Sequence, residues 1–124
     1  MRFLIALALI LSGCATTDYY THLEDPAEAN ICVGKLLDQP PITIRPLFFV
    51  EPAPWWVNYR GERVKVYGIF RRGVIPRLDL IRVADGSNMA ESVIHEFGHR
   101  YGLSDDNNDA EALIRRMGEC SDIH

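Results

Sequence analysis

The sequence predicts a small single-domain protein of the α+β class. Its 124 residues are 48% apolar and 24% charged, which is typical of one globular domain. A hydrophobic repeat near 3.6 residues occurs in three segments, and short β-branched and aromatic segments lie between the first two of them. We therefore expect a small antiparallel or mixed sheet with an N-terminal helix, a central helix and a C-terminal helix.

The N-terminus has a composition distinct from that of the domain. Arg2 supplies a positive start, and residues 3–11 form an apolar run that is too short to span a bilayer. Residues 11–14 (Leu-Ser-Gly-Cys) resemble the lipobox of bacterial lipoproteins. The resemblance implies a signal peptide over residues 1–13, a lipid on Cys14, and a tether over residues 14–24 that leads into a domain spanning residues 25–124.

That resemblance also implies a location and a membrane partner. The protein would be anchored in the cell envelope through the lipid on Cys14, facing the periplasm or the exterior. In a Gram-negative cell the outer membrane is preferred, because Ala15 stands where an aspartate would signal retention in the inner membrane. The formal charge of −4 leaves no basic surplus to neutralise phosphates, so we expect no nucleic-acid partner.

Two cysteines remain once Cys14 is assigned to the lipid. In an oxidising compartment, Cys32 and Cys120 are predicted to form a disulfide. Two buried free thiols are the alternative, because the sequence does not show how close their Cα atoms lie.

The N-terminal helix and the first strand have clear boundary signals. Asp25 and Pro26 are typical of an N-cap followed by the first helical residue, and the helix is predicted to end before Pro40. Residues 42–50 predict a strand in which Pro46 favours a sheet edge or a bulge. Residues 51–54 are interpreted as a connector.

The middle of the chain predicts a hairpin. Residues 63–70 alternate like a strand, residues 71–73 form a turn, and residues 74–83 return as a second strand. Pro76 favours an edge position for that second strand. The tryptophans at positions 55 and 56 are predicted to point to opposite sides of an extended segment, with one of them exposed.

The central helix carries the residues with recognisable chemistry. After residues 84–87 the period changes to 3.6, and the apolar face comprises Ala90, Val93, Ile94, Phe97 and Tyr101 before the helix ends at Gly102. Opposite this face, His95 and His99 are one turn apart, as two nitrogen ligands of one zinc ion require. Glu96 is adjacent to them and is placed to act on water at the metal.

The motif extends beyond the helix. Residues 95–105 fit the pattern H-E-x-x-H-x-x-G-x-x-D and resemble zincin metallopeptidases, in particular the snapalysin and immune inhibitor A types. The resemblance implies a minimal zincin-like fold with one Zn²⁺ per chain, held by His95, His99 and Asp105. It also implies that Gly102 permits the sharp turn that returns Asp105 to the metal.

A third helix offers other choices for the third ligand. Residues 108–117 have an amphipathic pattern with Asp109 and Glu111 on its flanks, and either carboxylate could reach a zinc ion held by the two histidines. Asp106 is a lesser alternative. Asp105 together with Glu111 would give a closed, non-catalytic zinc site.

The resemblance implies a zinc metallopeptidase that hydrolyses peptide bonds of a peptide or protein substrate in the cell envelope. Glu96 would be the general base that activates the zinc-bound water. The substrate would lie along an exposed edge strand, which the sequence analysis assigns to residues 74–83. The alternatives are a lipoprotein that binds zinc without turnover and one that serves only for interactions in the envelope.

Overall fold

The computed structural model describes residues 20–105 and 108–120. The predicted signal peptide, the lipidation site Cys14 and the tether up to residue 19 lie outside the described residues, as do Asp106 and residues 121–124. The described chain contains three α-helices, a three-stranded sheet and a two-stranded sheet, which confirms the α+β class.

Along the described chain, one α-helix is followed by five strands and then by two further α-helices. The helices are α1 (Pro26–Leu36), α2 (Met89–Arg100) and α3 (Asp109–Arg115), and the strands are β1 (Leu47–Glu51), β2 (Trp55–Tyr59), β3 (Glu62–Val66), β4 (Gly68–Arg71) and β5 (Leu80–Ala84). Short 3-10 helices occur at Thr21–Glu24, Pro76–Leu78 and Met117–Cys120. No described helix is long and apolar enough to cross a membrane.

The start of α1 agrees with the prediction. The Asp25 side chain accepts a hydrogen bond from the backbone N–H of Ala27 at 2.8 Å, and Pro26 occupies the first turn. This satisfies one of the amide groups that a helix leaves unpaired at its N-terminus. The packed domain begins before Asp25, however, because the helix Thr21–Glu24 places Leu23 fully in the core.

The three-stranded sheet has the order β1-β5-β4. Strand β1 runs parallel to β5, and β4 runs antiparallel to it. Ile81 and Val83 of the central strand are fully buried and belong to the same hydrophobic core as Val33 of α1 and Phe97 of α2. The sheet therefore supports the helix that carries the two histidines.

The predicted first strand is shorter than expected. Strand β1 begins at Leu47, directly after Pro46, and residues 42–46 are not part of it. The edge position is confirmed, because β1 pairs only with β5 among the described strands. A proline at the start of an edge strand removes no hydrogen bond from the ladder.

The prediction of one strand over residues 63–70 is wrong. The segment divides at Tyr67 into β3, which pairs with β2, and β4, which pairs with β5. Residues 55–59 form a strand that was not predicted, β2, and β3 pairs with it instead of joining the main sheet. Trp56 is 54% exposed, whereas Trp55 is half-buried, as the alternation of side chains predicts.

The predicted edge strand over residues 74–83 is also wrong. Pro76 lies in a 3-10 helix, and the strand begins only at Leu80. Strand β5 is central and is paired on both sides, so no substrate can add to it. The predicted antiparallel hairpin is confirmed in part, because β4 pairs antiparallel with β5. The segment that connects these two strands is longer than the predicted turn over residues 71–73.

The disulfide prediction is confirmed. Cys32 in α1 is bonded to Cys120 in the last 3-10 helix, across a sequence separation of 88 residues. Both residues are fully buried, so the bond fixes the C-terminal segment to the N-terminal helix inside the core. The predicted C-terminal helix is confirmed as α3, which is shorter than residues 108–117 because a 3-10 helix replaces its last turn.

Candidate metal centre

Helix α2 separates an apolar face from a polar one. Ala90, Val93, Ile94 and Phe97 are buried against the sheet and α1, as predicted. On the opposite side of the helix, the side chains of His95 and His99 are 21% and 15% exposed. Tyr101 is half-buried, and its hydroxyl donates to Asn30, so it is turned away from the histidines.

The chain reverses direction immediately after α2. Gly102 adopts a positive φ of 101°, its N–H donates to the carbonyl of His99, and the N–H of Leu103 donates to the carbonyl of Gly98, both at 3.0 Å. This pair of hydrogen bonds is a Schellman motif, in which a glycine is favoured because of its left-handed backbone. The turn directs the following residues back along the histidine face.

Asp105 is the acid that this turn brings to the two histidines. Its Oδ1 lies 3.1 Å from Nε2 of His95 and 3.0 Å from Nε2 of His99. The two Nε2 atoms are themselves 3.0 Å apart. Three potential ligand atoms, two nitrogens and one oxygen, therefore form a nearly equilateral triangle.

The remaining ring nitrogens also have partners. Nδ1 of His99 lies 2.8 Å from the carbonyl oxygen of Leu103, and Nδ1 of His95 lies 3.3 Å from Oε1 of Glu111. Both partners accept hydrogen bonds only, so the tautomer with the proton on Nδ1 would satisfy them and would present the lone pair of Nε2 to the triangle. The site thus directs three electron-pair donors at one point.

This donor set is suited to a zinc ion. Ligands held about 2.0–2.1 Å from zinc at tetrahedral angles are about 3.3–3.4 Å apart, and the observed separations of 3.0–3.1 Å agree within a few tenths of an ångström. Two imidazoles and one carboxylate leave the fourth position of a tetrahedral ion open.

The two alternative ligands occupy other positions. Glu111 faces Nδ1 of His95, on the side of the ring away from Nε2, where it orients the ring. Asp109 is exposed at the start of α3, and within the described part of the chain it forms no ion pair with either histidine. Asp105 is therefore the acid placed at the ligand triangle.

Glu96 lies beside the triangle in a buried position. It is only 5% exposed, and a carboxylate oxygen is within 4.8 Å of the histidine ligand atoms. Burial raises its pKa to about 8, and the negative charge of Asp105 contributes less. A buried carboxylate beside two candidate ligands is placed to accept a proton from water at the metal.

Gly68 makes room for Glu96 and was not recognised as a functional residue from the sequence. A Cβ atom at position 68 would lie 2.8 Å from Oε2 of Glu96 and 3.0 Å from its Cγ. The signal was present, since a glycine inside a strand often marks the close approach of another group. The first residue of β4 thus sets the position of the Glu96 carboxylate.

A cleft of about 350 Å³ adjoins His95 and Glu96. Its walls include Val66, Tyr67 and Gly68 at the junction of β3 and β4. Strand β4 pairs only with β5 among the described strands, so its other edge is unpaired beside the cleft. The edge strand next to the histidines is therefore β4 and not residues 74–83.

A buried ion pair holds the C-terminal end of α2. The guanidinium Nε of Arg100 donates to Oδ2 of Asp79 at 3.0 Å, and both side chains are at least 96% buried. Asp79 also accepts from the N–H of Gly73 at 2.8 Å. The pair ties the connection between β4 and β5 to the helix end from which the Asp105 turn departs. Its partners are distant in sequence, so sequence patterns gave no signal for it.

Comparison of the chain with protein-family models, with curated proteins and with solved structures found no match.

Proposed function

We propose that this protein is a zinc-dependent peptidase whose metal ion is held by His95, His99 and Asp105. One observation carries the proposal: Nε2 of both histidines and Oδ1 of Asp105 converge at 3.0–3.1 Å, with each Nδ1 atom next to a proton acceptor. A bound zinc ion would supply a Lewis acid that polarises a carbonyl and lowers the pKa of water.

Glu96 would act as the general base and then as the general acid of the hydrolysis. Its carboxylate accepts a proton from the attacking water as the new C–O bond forms, and then returns the proton to the leaving amine nitrogen as the C–N bond breaks. Its burial excludes bulk water, and contact with Gly68 fixes the oxygen that receives the proton. Glu111 and the carbonyl of Leu103 hold the two imidazole rings in orientation.

Substrate would bind along β4. The backbone of this strand has an unpaired edge beside the cleft, and an extended peptide can add to such an edge as a further strand. Gly68 at the start of the strand would bring the peptide close to Glu96. This replaces residues 74–83 as the substrate-binding strand.

The set of three protein donors favours a catalytic site over a closed zinc site, since it would leave a zinc ion one position for water. A closed site would need a fourth protein ligand, such as Glu111. Glu111 instead lies 3.3 Å from Nδ1 of His95, on the side of the ring opposite the triangle. The geometry therefore supports turnover more strongly than purely structural zinc binding.

The proposal for the metal is tested by zinc content. The chain from Ala15 onward keeps every described residue and is expected to bind one zinc per chain, measured by mass spectrometry after dialysis. His99→Ala and Asp105→Ala should lose the zinc, whereas Asp109→Ala should retain it. Retention of full zinc by Asp105→Ala, or no zinc in the unaltered chain, would contradict the assigned site.

Catalysis is tested with a variant that keeps the metal. Glu96→Gln should still bind zinc but cleave a peptide library about 10²–10⁴-fold more slowly, since that is the usual contribution of a general base. Glu62→Gln is the matched control, because Glu62 is exposed and is not among the cleft-lining residues, so the variant removes the same charge and should keep the activity. Equal cleavage by all three zinc-loaded proteins would exclude Glu96 as the base.

We also propose that the protein is a lipoprotein of the cell envelope, anchored through Cys14. The lipobox-like residues 11–14 support this, and the buried disulfide between Cys32 and Cys120 is typical of proteins outside the cytoplasm. Labelled fatty acid should be incorporated into the full chain and not into Cys14→Ser, and membrane fractionation should show the corresponding release. Labelling of the serine variant would contradict this anchor.

A further inference from the structure

The β2–β3 hairpin has two chemically different faces. Trp56 pairs with Lys65 across the strands, and Asn58 pairs with Arg63, so these four side chains share one face. Tyr67 follows Lys65 by two residues and lies near it, with the ammonium 6.0 Å from the ring centroid. We call these five residues the basic aromatic face.

The aromatic rings of this face are well exposed and accompanied by cations. Trp56 and Tyr67 are 54% and 52% exposed, and the guanidinium of Arg63 lies 5.4 Å from the Trp56 ring. At the hairpin tip, Arg60 stacks on Tyr59 in the same way, at 5.1 Å. The hairpin thus combines large apolar rings with positive charge at one surface.

The charge of the hairpin is opposite to that of the rest of the protein. Residues 55–67 contain three basic residues and one acid, which gives them a net charge of +2, whereas the remainder of the chain carries −6. The single acid, Glu62, pairs with Tyr59 on the opposite face. The basic aromatic face therefore has no carboxylate of its own.

We propose that the basic aromatic face docks on an anionic phospholipid surface. Trp and Tyr favour the boundary between headgroups and acyl chains, and Lys and Arg bind anionic headgroups. The proximity argument rests on the proposed anchor: Tyr20 follows Cys14 by six residues, which span at most about 20 Å. A lipid on Cys14 would therefore hold the domain within reach of the bilayer.

The metal cleft adjoins both faces of the hairpin. Trp55, Val57 and Val66 lie on the face opposite Trp56 and are half-buried, and Val66 lines the cleft. Tyr67, at the end of the basic aromatic face, lines the same cleft. Docking through Trp56 and Lys65 would thus place the bilayer at the rim of the cleft that Tyr67 forms.

Binding is tested without the anchor, so that the face alone is measured. The chain from Ala15 onward should co-sediment with vesicles of phosphatidylcholine containing 30% phosphatidylglycerol, and not with pure phosphatidylcholine vesicles. Arg63→Gln/Lys65→Gln should bind about thirtyfold more weakly, since each basic side chain near such a surface contributes roughly fivefold. The control Arg45→Gln/Arg115→Gln has the same net charge and should bind like the unaltered chain.

The two tryptophans supply a second readout. They are the only tryptophans of the chain, so Trp55→Phe leaves Trp56 as the sole reporter on the basic aromatic face. Its emission should shift to the blue and become protected from iodide when anionic vesicles are added. Trp56→Phe, which reports from Trp55 on the opposite face, should show no such shift.

Three results would overturn the proposal. These are equal loss of binding in the two double variants, no change in Trp56 emission on vesicles, and equal affinity for a soluble polyanion that shifts Trp56 in the same way. The last result would identify a polyanionic polymer as the partner. None of the measurements uses zinc or peptidase activity, so failure here would be distinct from failure of the proposed peptidase.

Discussion

Replacing Glu111 separates the roles of ligand and orienting group in the proposed zinc site. Its Oε1 lies 3.3 Å from Nδ1 of His95, and its side chain is 53% exposed. Loss of a carboxylate that orients a ligating histidine usually weakens metal affinity 10–100-fold. Because the contact is long and half-exposed, we expect Glu111→Ala to weaken zinc binding by about tenfold, or about 1.4 kcal/mol.

A control is needed because any carboxylate near a dication contributes through its charge. At a hydrated surface this effect is of the order of 1 kcal/mol at contact and falls with distance. Glu91 lines the same cleft as Glu111, and among the described ion pairs of His95 none involves Glu91, so Glu91→Ala removes the same charge without removing an orienting contact. Zinc affinity measured by chelator competition should fall about tenfold further in Glu111→Ala than in Glu91→Ala. Glu111→Gln should recover part of the loss, because its amide oxygen still accepts a hydrogen bond from Nδ1–H of His95.

Nitrogen NMR of the metal-free protein gives a readout that does not depend on zinc. In the unaltered chain both neutral rings should carry the proton on Nδ1. In Glu111→Ala the tautomer of His95 should shift toward Nε2–H, whereas His99 should not change because the carbonyl of Leu103 still accepts from it. Equal zinc affinities for Glu111→Ala and Glu91→Ala, together with an unchanged His95 tautomer, would refute the orienting role.

Three further substitutions test the structure around the site. Gly68→Ala should leave folding and zinc content nearly unchanged but reduce peptidase turnover by about 10–100-fold. The reason is that the new Cβ would lie 2.8 Å from Oε2 of Glu96 and displace that carboxylate. Zinc-loaded enzyme with full turnover would contradict this. Replacing Cys32 and Cys120 by serine should lower the free energy of unfolding in urea by about 4 kcal/mol, as expected for a closed loop of this length, and an unchanged midpoint would contradict it. Asp79→Asn should lower the free energy of unfolding by about 3–5 kcal/mol in the same assay, since it leaves the buried guanidinium of Arg100 without its counter-charge. A decrease below about 1 kcal/mol would show that water reaches the Arg100–Asp79 pair.

Local features of the site could be predicted from the sequence because helices are specified by neighbouring residues. The buried face of α2, the juxtaposition of His95 and His99, and the turn at Gly102 follow from a period of 3.6 residues and from the conformational freedom of glycine. The pairing of Cys32 with Cys120 could be predicted because only these two cysteines remain once Cys14 is assigned to a lipid.

The strands were predicted less well because their partners are distant in sequence. Residues 63–70 form a continuous alternating pattern, yet their division between two sheets depends on β2, which the sequence analysis did not identify. Pro76 predicts an edge strand, but it lies in a 3-10 helix before β5. The central position of β5 follows from two buried residues, Ile81 and Val83, whose neighbours on both sides come from remote segments.

The sequence by itself determined the helix that carries the two histidines and Glu96, since the spacing of those residues fixes their common face. Four acids remained possible third ligands from the sequence, because the path of a chain after a turn depends on what the turn packs against. Only the tertiary structure placed Asp105 at Nε2 of both rings, Glu111 behind His95 and Gly68 against Glu96. These assignments depend on contacts between segments that share no sequence period, and such contacts form only when sheet and helices pack together.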